Sequence, residues 1–515
     1  MRQHGYFNMW SESIKRDIIM NDGGSNSKFD KVLGSWDILV IAFGAMIGWG
    51  WVVSVGDWIE RGGVLGAAFG WVAGGIVIFF VGLTYAELTP AMPKCGGEHV
   101  FSYRAMGPNG SFVCTWAIIL GYVSVVCYEA CALPTIVSYI FPGFLKGYMY
   151  TVAGFDVYAT WVGLAMAVAV FMTWINILGA KTAAKLQTIL TVIIGAAGIF
   201  LIAVAMMKGD YANVETHQFI GTGSGSAIKS IMSMAVITPF FFIGFDVIPQ
   251  AAEEIDLAPK KIGKMLLFSI ICAVIFYTLI CLGVGMLMPN DAIKASMAGT
   301  GLVTADAIAR AFNIKALASV MIIAGACGII TSWNSFLIGG SRAMWSMADA
   351  HMIPTFFAKL HPEYKTPVNA LLLIGAASAL APLAGRQMLV WIMNAGNMGC
   401  CVAYCMVSIS FLLLRKKEPD MPRPYKIRHG KFVGTMAVIL SGGMIAMYII
   451  PGSGATLSMQ EWGMAGGWFL LGIVFYMGMK HKYGASFAKH ADAIMGAVRD
   501  SMDDDEMASM DDMMF

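Results

Sequence analysis

Long stretches without charged residues divide the chain. Ten uncharged windows, and two more that hold a single acid, are each 18 residues or longer. The uncharged windows are 38–56, 62–86, 157–180, 186–207, 265–290, 316–341, 366–385, 387–414, 432–460 and 462–479; the other two are 105–145, with Glu129, and 230–252, with Asp246. About 20 apolar residues in a helix span a hydrocarbon core roughly 30 Å thick, and these windows lack the alternation of barrel strands. The pattern predicts an all-α integral membrane protein with twelve transmembrane helices.

Spans one and six contain residues that weaken a helix. The first reads Phe43-Gly44-Ala45-Met46-Ile47-Gly48-Trp49-Gly50-Trp51, and each glycine costs about 1 kcal/mol of helix preference against alanine. In the sixth, Pro239 and Pro249 bracket Gly244 and Asp246, and each proline removes a helix hydrogen bond. The glycines of span one also fit close helix packing of the Gly-x-x-x-Gly kind.

Two interrupted helices in corresponding places favour an inverted-repeat transporter with its binding site at the interruptions. We therefore predict a 5+5 inverted repeat with broken helices 1 and 6, followed by two C-terminal helices. The predicted parts are a cytoplasmic N-terminal tail (1–36), a first repeat with helices 1–5 (37–207), a second repeat with helices 6–10 (228–414), helices 11–12 (432–480) and an acidic cytoplasmic tail (481–515).

Composition and charge agree with this layout. The chain is 58% hydrophobic and only 13% charged, whereas soluble domains are about a quarter charged. If the N-terminus is cytoplasmic and every window crosses once, the inside segments hold 26 of the 34 Lys and Arg residues. This positive-inside bias predicts a multi-pass protein of the cell (plasma or inner) membrane with both termini in the cytoplasm.

The cysteines show no metal-ligand spacing. Nine of the ten lie in predicted spans, and Cys95 lies on a predicted cytoplasmic loop. We interpret them as reduced packing residues. The sequence also has no nucleophile elbow and no phosphate-binding loop. It therefore predicts no catalytic residues, no enzyme activity, no bound metal and no cofactor.

Four motifs occur in order along the chain. They are Gly44–Gly50; Tyr85-Ala86-Glu87-Leu88 with Pro93–Phe101; Gly244-Phe245-Asp246 with Glu253-Glu254 and Pro259; and Ser341–Asp349 with Pro354 and Thr366-Pro367. Through them the chain resembles the amino acid–polyamine–organocation (APC) superfamily of permeases, which have the LeuT-type fold. The resemblance runs from about Gly34 to the loop after span ten. It implies proton- or sodium-coupled transport, or exchange, of amino acids and related amines by alternating access.

The resemblance also implies a substrate site. A substrate carboxylate would bind amides around Ile47, Gly48, Trp49 and Gly50, beside Met46, and an amine would lie near the carbonyls of Phe242, Ile243 and Gly244. Phe245 is interpreted as a lid, and Asp246 either contacts substrate or caps free N–H groups.

Two residues depart from the family pattern. Trp49 stands where a small or hydroxylated residue is usual, and we expect its indole to fill space or to cap the substrate by a cation–π contact. That favours a small substrate, or an amine without a carboxylate. His99 stands where an aromatic is common, and we interpret it as a loop histidine near the cytoplasmic face, with a proton relay as the alternative.

Glu129 and Asp246 are the two ionisable residues in mid-span, where an acid costs about 2.5–3.5 kcal/mol. Glu129 is therefore a candidate for proton coupling or amine binding, with structural hydrogen bonding as the alternative.

A coupling sodium ion would need oxygen ligands. The resemblance places such a site between spans one and eight, where Thr331, Ser332 and Ser335 supply hydroxyls, although such hydroxyls often bond to their own helix. Some relatives use a span-five lysine instead; here Ile194 lies near that position. Glu87 is expected near the cytoplasmic interface, solvated or paired with Arg104 or Lys94, either as a gate or by simple placement.

The combined prediction is a secondary active transporter that moves an amino acid with a proton. The alternatives are a small-amine or polyamine transporter or exchanger, and a sodium-coupled amino acid symporter. The predicted partners are a small-molecule substrate and the lipid bilayer, with no nucleic acid and no obligate protein partner.

Overall fold

The computed structural model describes residues 28–141, 143–152, 154–221, 225–453 and 455–483. The acidic cluster at 503–512 in the predicted C-terminal tail lies outside the described residues. Ten of the described helices are long and apolar enough to cross a membrane, and two shorter apolar helices begin at Ser35 and Val368. This confirms a multi-span helical membrane protein, while the count of twelve crossings and the 5+5 repeat stay predictions.

The described residues in the first half of the chain form eight helices and one hairpin. The helices are α1 (Ser35–Met46), α2 (Gly50–Val53), α3 (Val55–Gly62), α4 (Val64–Ala91), α5 (Glu98–Ile140), α6 (Ala159–Ile177), α7 (Ala180–Lys208) and α8 (Tyr211–Glu215). Between α5 and α6, strands β1 (Tyr148–Val152) and β2 (Phe155–Tyr158) pair antiparallel, an element that the sequence analysis did not predict. Helix α5 bends at Gly107, where φ is 76°.

The second half begins with a broken span. This span consists of α9 (Ser226–Ala235), a 3₁₀ turn (Thr238–Phe242), α10 (Val247–Gln250) and a second 3₁₀ turn (Ala252–Glu254). The remaining helices are α11 (Pro259–Leu287), α12 (Asn290–Ala298), α13 (Val303–Phe312), α14 (Ala318–Asp349), α15 (Val368–Leu380), α16 (Gly385–Lys417), α17 (Gly430–Ile449) and α18 (Met459–Tyr483), with short 3₁₀ turns before α14 and on both sides of α15.

Large apolar side chains cover the outside of the helix bundle. Ile199 and Met206 on α7 and Leu470 on α18 are each more than 60% exposed. Exposed apolar area on this scale marks a surface that meets something other than water. Only helices and closed barrels satisfy their backbone hydrogen bonds in lipid. A lipid environment therefore accounts both for the apolar exterior and for the helical architecture.

Both described ends of the chain lie at one face of the bundle. The Lys28 ammonium lies 2.8 Å from the Asp349 carboxylate at the end of α14. The ring of Tyr483, the last described residue, lies 5.0 Å from that of His351 in the loop after α14. We call the face that carries these residues the terminal face.

Part of the predicted N-terminal tail packs against this face. The backbone N–H groups of Val32 and Leu33 each donate to the Glu254 carbonyl at 2.9 Å, and Leu33 forms a parallel bridge with Ile255. The Phe29 ring packs edge-on against Trp345 at 4.9 Å. Residues 28–34 therefore belong to the folded bundle, directly below the broken sixth span.

Two indoles join the last helix to the bundle. Trp116 Nε1 on α5 donates to the carbonyl of Trp468 on α18, and Trp468 Nε1 donates to the carbonyl of Trp116, both at 2.9 Å. The two rings stack at 4.6 Å. This reciprocal pair fixes α18, whose outer side is largely exposed.

Candidate functional site

The first span is interrupted between Met46 and Gly50. Helix α1 ends at Met46, Ile47 leaves helical geometry at φ −96° and ψ 83°, and a new helical turn begins at Gly50. Of the amides that were predicted to bind a carboxylate, that of Ile47 already donates to the Phe43 carbonyl. Among the described residues, the amides of Gly48, Trp49 and Gly50 have no acceptor, so three of the four predicted donors are available.

The sixth span is interrupted between Phe242 and Val247. The 3₁₀ turn ends at Phe242, Ile243 is extended, and α10 begins only at Val247. Gly244 has φ 136°, a conformation that L side chains rarely adopt. Of the three predicted acceptor carbonyls, that of Gly244 accepts from the Val247 amide at 3.2 Å.

The two interruptions touch each other. A Cβ atom at Gly244 would lie 2.6 Å from the Cβ of Ala45 and 2.9 Å from the amide nitrogen of Met46. Real Cβ atoms do not approach other atoms this closely, so glycine is required here for space as well as for φ. The structure thus brings the free amides of one broken span and the carbonyls of the other to one place in the bundle.

Asp246 caps the second interruption. Its Oδ1 accepts from the Gly244 amide at 2.8 Å and from the Tyr404 hydroxyl at 2.8 Å. Its Oδ2 accepts from the Tyr122 hydroxyl at 2.5 Å, and the residue is fully buried. Three donors on one carboxylate are the arrangement expected of a cap, which was one of the two interpretations of this residue.

Phe245, which was interpreted as a lid, packs among other aromatic rings and does not lie alone over the interruption. It is fully buried, and its ring packs 5.2 Å from that of Tyr85 and 5.3 Å from that of Tyr404. Both tyrosines belong to helices outside the broken spans. The structure therefore places Phe245 in an aromatic layer together with the residues that surround Asp246.

Glu129 lies beside the first interruption. It is 5% exposed, and its Oε1 is 3.3 Å from the position that a Cβ at Gly48 would occupy. The Ser332 side chain on α14 lies close enough to interact with the carboxyl group, while Oε2 has no partner among the described residues. A buried carboxyl with an unpartnered oxygen thus faces the free amides at Gly48 to Gly50.

Tyr277 on α11 is a site residue that the sequence analysis missed. Its hydroxyl donates to the Met46 carbonyl at 2.7 Å, at the end of α1. Its ring stacks on Trp71 at 3.9 Å, within an aromatic cluster that includes Trp58, Phe241 and Phe242. Tyr277 is one polar group inside a long apolar window, so no spacing pattern could have identified it.

A cavity of about 500 Å³ lies beside this cluster. Its lining residues are Ser54, Asp57, Trp58, Glu60, Arg61, Ile237 and Phe241. Trp58 and Phe241 belong both to the cavity wall and to the aromatic cluster. The cluster therefore lies between this cavity and the two interruptions.

A sequence-family model described as amino acid permease matches residues 33–475. The chain belongs to the amino acid permease family. It is 26% identical to the branched-chain amino acid permease BcaP of Bacillus subtilis over 482 residues, which cover 91% of this chain and 97% of that protein.

Other relatives share less of the chain. The permease is 25% identical to the aspartate-proton symporter of Bacillus subtilis, over 81% of this chain and 79% of that protein. It is also 25% identical to Asc-type amino acid transporter 1 of Homo sapiens, over 77% of this chain and 74% of that protein. The family confirms the resemblance to the APC superfamily, and it is a family of membrane transporters.

In this permease, Trp49 fills space between the first span and α14. Its ring occupies the position that a side chain at Gly325 would need, and a Cβ at Gly328 would lie 2.5 Å from the Gly48 carbonyl oxygen. Glycines at both positions of α14 let the interrupted segment approach closely. The contact matches the space-filling interpretation of Trp49.

The three hydroxyls considered for sodium have different partners. Thr331 donates to the Gly328 carbonyl of its own helix at 3.0 Å, Ser332 lies beside the Glu129 carboxyl and interacts with it, and Ser335 donates to the Ile41 carbonyl at 2.9 Å. In addition, the Gln187 side-chain amide on α7 donates to Ser335 Oγ at 3.0 Å and to the Val40 carbonyl at 3.1 Å. The uncharged NH₂ group of Gln187 therefore lies between α1 and α14 and donates to oxygen atoms there that a sodium ion would need as ligands.

A buried ion pair closes the terminal face of the permease. Arg342 Nε on α14 lies 2.7 Å from Glu254 Oε1 below the sixth span, and the two side chains are 0% and 5% exposed. Cys95 lies next to this pair, with its sulfur 4.0 Å from the Arg342 carbonyl oxygen, and is 3% exposed. The interruptions are therefore sealed from this side.

The expected surroundings of Glu87 were wrong. Glu87 does not pair with Arg104 or Lys94: Arg415 Nε donates to it at 2.9 Å, and Arg423 Nε lies 3.1 Å away. Arg104 pairs instead with Glu418. Both pairs join residues more than 300 positions apart, which spacing along the chain cannot indicate.

His99 is not a loop residue. It lies in the first turn of α5 and is fully buried. Its Nδ1 is 2.9 Å from Ser346 Oγ and its Nε2 is 3.4 Å from Met352 Sδ. The helix begins at Glu98, earlier than the charge-free window suggests, because the turn Gly96–Gly97 reverses the chain with positive φ at both glycines.

The described residues contain no group of three or more His, Cys, Asp or Glu side chains that is placed to hold a metal ion. All ten cysteines are free thiols.

Proposed function

We propose that this protein is a proton-coupled amino acid permease of the cell membrane. The observation that carries the proposal is the contact between the two interrupted spans at Gly244 and Ala45, next to the buried Glu129 carboxyl. Two relatives are a branched-chain amino acid permease and an aspartate-proton symporter, which supports an amino acid substrate and a coupling proton.

The interruptions offer complementary groups to a zwitterion. The amides of Gly48, Trp49 and Gly50 precede a helical turn, where partial positive charge and free N–H groups favour a carboxylate. The carbonyls of Phe242 and Ile243 end a helical segment and favour an ammonium group. An amine without a carboxylate leaves the amides unpaired, so we propose an amino acid rather than a simple amine or polyamine as the substrate.

Glu129 couples the proton to the substrate through repulsion between like charges. A substrate carboxylate on the amide of Gly48 lies beside the Glu129 carboxyl. Two like charges at 4 Å repel by about 4 kcal/mol at an effective dielectric constant of 20. A proton on Glu129 removes this repulsion, so proton and substrate each raise the affinity of the other. The permease therefore carries them together.

The same proposal gives the protein its orientation. The terminal face holds both described ends of the chain. The Arg415–Lys431 segment, which contains seven Lys and Arg residues, pairs with Glu87 and Arg104 on the two helices that flank Cys95 at this face. Positive charge near span ends stays on the cytoplasmic side. The terminal face is then cytoplasmic, and the cavity beside Trp58 opens to the outside.

Uptake into proteoliposomes tests the function. A panel of labelled amino acids, with one amine that lacks a carboxylate, is offered with a pH gradient or a sodium gradient imposed separately. We expect accumulation of an amino acid with the pH gradient alone. Accumulation with the sodium gradient alone, or of the amine alone, would refute proton-coupled amino acid transport.

Glu129→Gln tests the coupling. The neutral amide imitates the protonated acid, so substrate exchange should persist while accumulation driven by the pH gradient drops at least tenfold. Glu461→Gln is the matched control: Glu461 is a buried carboxyl at the start of α18 that accepts from Asn394 and the Ser458 amide. Unchanged accumulation in Glu129→Gln would assign Glu129 a structural role.

A further inference from the structure

A second carboxyl without a compensating charge is buried between the sixth-span interruption and the terminal face. Glu98 begins α5 and is fully buried. The Gln250 side-chain amide donates to its Oε2, and its Oε1 has no partner among the described residues. No described Lys, Arg or His forms an ion pair with it.

Two further polar atoms around Glu98 lack partners. The Tyr85 hydroxyl lies next to the Glu98 carboxyl and interacts with it, but no hydrogen bond of good geometry joins the two, and Gln250 Oε1 has no partner among the described residues. Tyr85, Glu98 and Gln250 are all fully buried. A buried polar atom without a hydrogen bond costs about 1–3 kcal/mol, so three of them at one place call for an explanation.

The other titratable groups that interact with Glu98 bring no positive charge. They are Asp246 at the interruption, Cys114 and Tyr122 on α5, Tyr85 on α4 and Cys400 on α16. His99 is adjacent in the chain, but its ring nitrogens contact Ser346 and Met352. Every charged state in this set is anionic, so the surroundings oppose ionisation of Glu98.

Apart from Glu129, the other buried acids named so far are compensated by charges or by several hydrogen bonds. Glu254 pairs with Arg342, Glu87 lies between Arg415 and Arg423, and Asp246 accepts three hydrogen bonds. Glu98 has only neutral donors beside it, the Gln250 amide and the poorly aligned Tyr85 hydroxyl. A protonated Glu98 gains an O–H donor for the unpartnered Gln250 Oε1 or Tyr85 oxygen, and it removes a buried charge at the same time.

Helix α10 covers Glu98 on the side of the sixth span. The Gly96 amide donates to the Gln250 carbonyl at 3.2 Å, and a Cβ at Gly97 would lie 2.7 Å from Pro249 Cβ. Opening of the terminal face has to separate α10 from this turn. The separation breaks the Gln250 contact and exposes Glu98 to water.

We propose that Glu98 is a second proton-binding residue of this permease, protonated while the terminal face is closed and ionised when it opens. The carboxyl O–H bond breaks on opening, the proton goes to water at the terminal face, and the carboxylate remains. By linkage, acid at the terminal face stabilises the closed state and alkali favours opening. This inference rests on the proposed transport function and adds a residue to it.

Substrate exchange in oriented membrane vesicles tests the proposal, with pH varied only at the terminal face. In the wild type we expect exchange to rise several-fold as that side becomes more alkaline. Glu98→Gln stays neutral, so its exchange should be slow at every pH and lose the response, whereas Glu98→Asp should restore a response. Glu461→Gln serves as the matched buried-carboxyl control and should behave as the wild type.

Infrared spectroscopy gives a second readout that transport failure does not affect. In a Glu129→Gln background, the carbonyl stretch of a protonated carboxyl should be present and should be lost on adding Glu98→Gln. A wild-type pH response in Glu98→Gln, or an unchanged infrared band, would overturn the proposal. If the wild type accumulates nothing with a pH gradient, the transport function fails instead, and the infrared result still decides the protonation of Glu98.

Discussion

Gly244 sets the distance between the two interrupted spans. It combines a φ of 136° with a contact that leaves no room for a side chain beside Ala45 and Met46. A methyl group at this position has to push the spans apart or change the backbone, and either change displaces the carbonyls of Phe242 and Ile243. The geometry of the site therefore depends on the absence of one Cβ atom.

We expect Gly244→Ala to reduce amino acid uptake at least tenfold, measured in proteoliposomes at equal protein content. Gly442→Ala on α17 is the control, because no atom lies within 4 Å of its Cβ position; it should transport normally. Normal uptake by Gly244→Ala would show that the two spans do not need this close contact.

Substitution of Asp246 separates a capping role from a charge role. In Asp246→Asn the remaining oxygen still accepts from Gly244 and Tyr404, and the new NH₂ group donates to the Tyr122 hydroxyl. We therefore expect uptake within about threefold of the wild type. Asp246→Leu leaves the Gly244 amide and the Tyr404 hydroxyl unpaired, at about 1–3 kcal/mol each, and leaves the Tyr122 hydroxyl only its 3.3 Å contact with the carbonyl of residue 246. The thermal unfolding temperature should therefore fall clearly. Loss of uptake in a stable Asp246→Asn would mean that the carboxylate charge contacts the substrate.

At this scale the sequence indicated the interruptions but not their partners. Gly44 to Gly50 and the Pro239–Pro249 stretch are local signals, because glycine and proline act on their own backbone. Tyr122, Tyr404 and Tyr277 act on backbone or carboxylate groups that are distant in the chain. Their positions follow from helix packing, which a single sequence does not reveal.

Among the elements, the seal at the terminal face depends on one buried ion pair between the sixth span and α14. Removal of one partner of a buried pair costs about 3–5 kcal/mol, because the other charge is left without compensation. Opening of the terminal face exposes the remaining charge to water. The substitution therefore raises the free energy of the closed state and not that of the open state. Cys95 reports on the seal: burial raises the pKa of its thiol well above the usual range, so the closed protein keeps it unreactive.

Arg342→Gln should therefore increase alkylation of Cys95 by a maleimide at least tenfold, as measured by peptide mass spectrometry. The double variant Glu254→Gln/Arg342→Gln removes both charges and should restore much of the protection. Lys28→Ala breaks the exposed pair with Asp349 and should have little effect, because exposed pairs contribute at most about 1 kcal/mol. Equal alkylation in all variants would show that the pair does not hold this face closed.

The helices were predicted well where the sequence of a single helix is enough to indicate it. Charge-free windows located the membrane helices because lipid excludes charge over the whole length of a span. The hairpin Tyr148–Tyr158 and the early start of α5 were missed, since both lie beside windows rather than within them. The Glu87 pairing was wrong because Arg415, near the end of α16, approaches Glu87 only in the packed bundle.

For the whole molecule, the shared face of the two described chain ends agrees with an even number of crossings. With the positive-inside rule, this predicts cytoplasmic termini. An epitope tag after residue 515 should bind antibody only in permeabilised cells, and a tag in the loop between α8 and α9 should bind in intact cells. Staining of both tags in intact cells would contradict this orientation.

The reciprocal contact between Trp116 and Trp468 also bears on biosynthesis. Helix α18 is the last of the described helices to be synthesised. Until α18 is inserted, the Trp116 indole N–H lacks the partner that it has in the folded protein. An unsatisfied polar group in hydrocarbon costs several kcal/mol, and each indole relieves the other. Insertion of α18 therefore removes an unsatisfied polar group from α5, and a chain without α18 keeps that group in the bilayer, where quality-control machinery can recognise it.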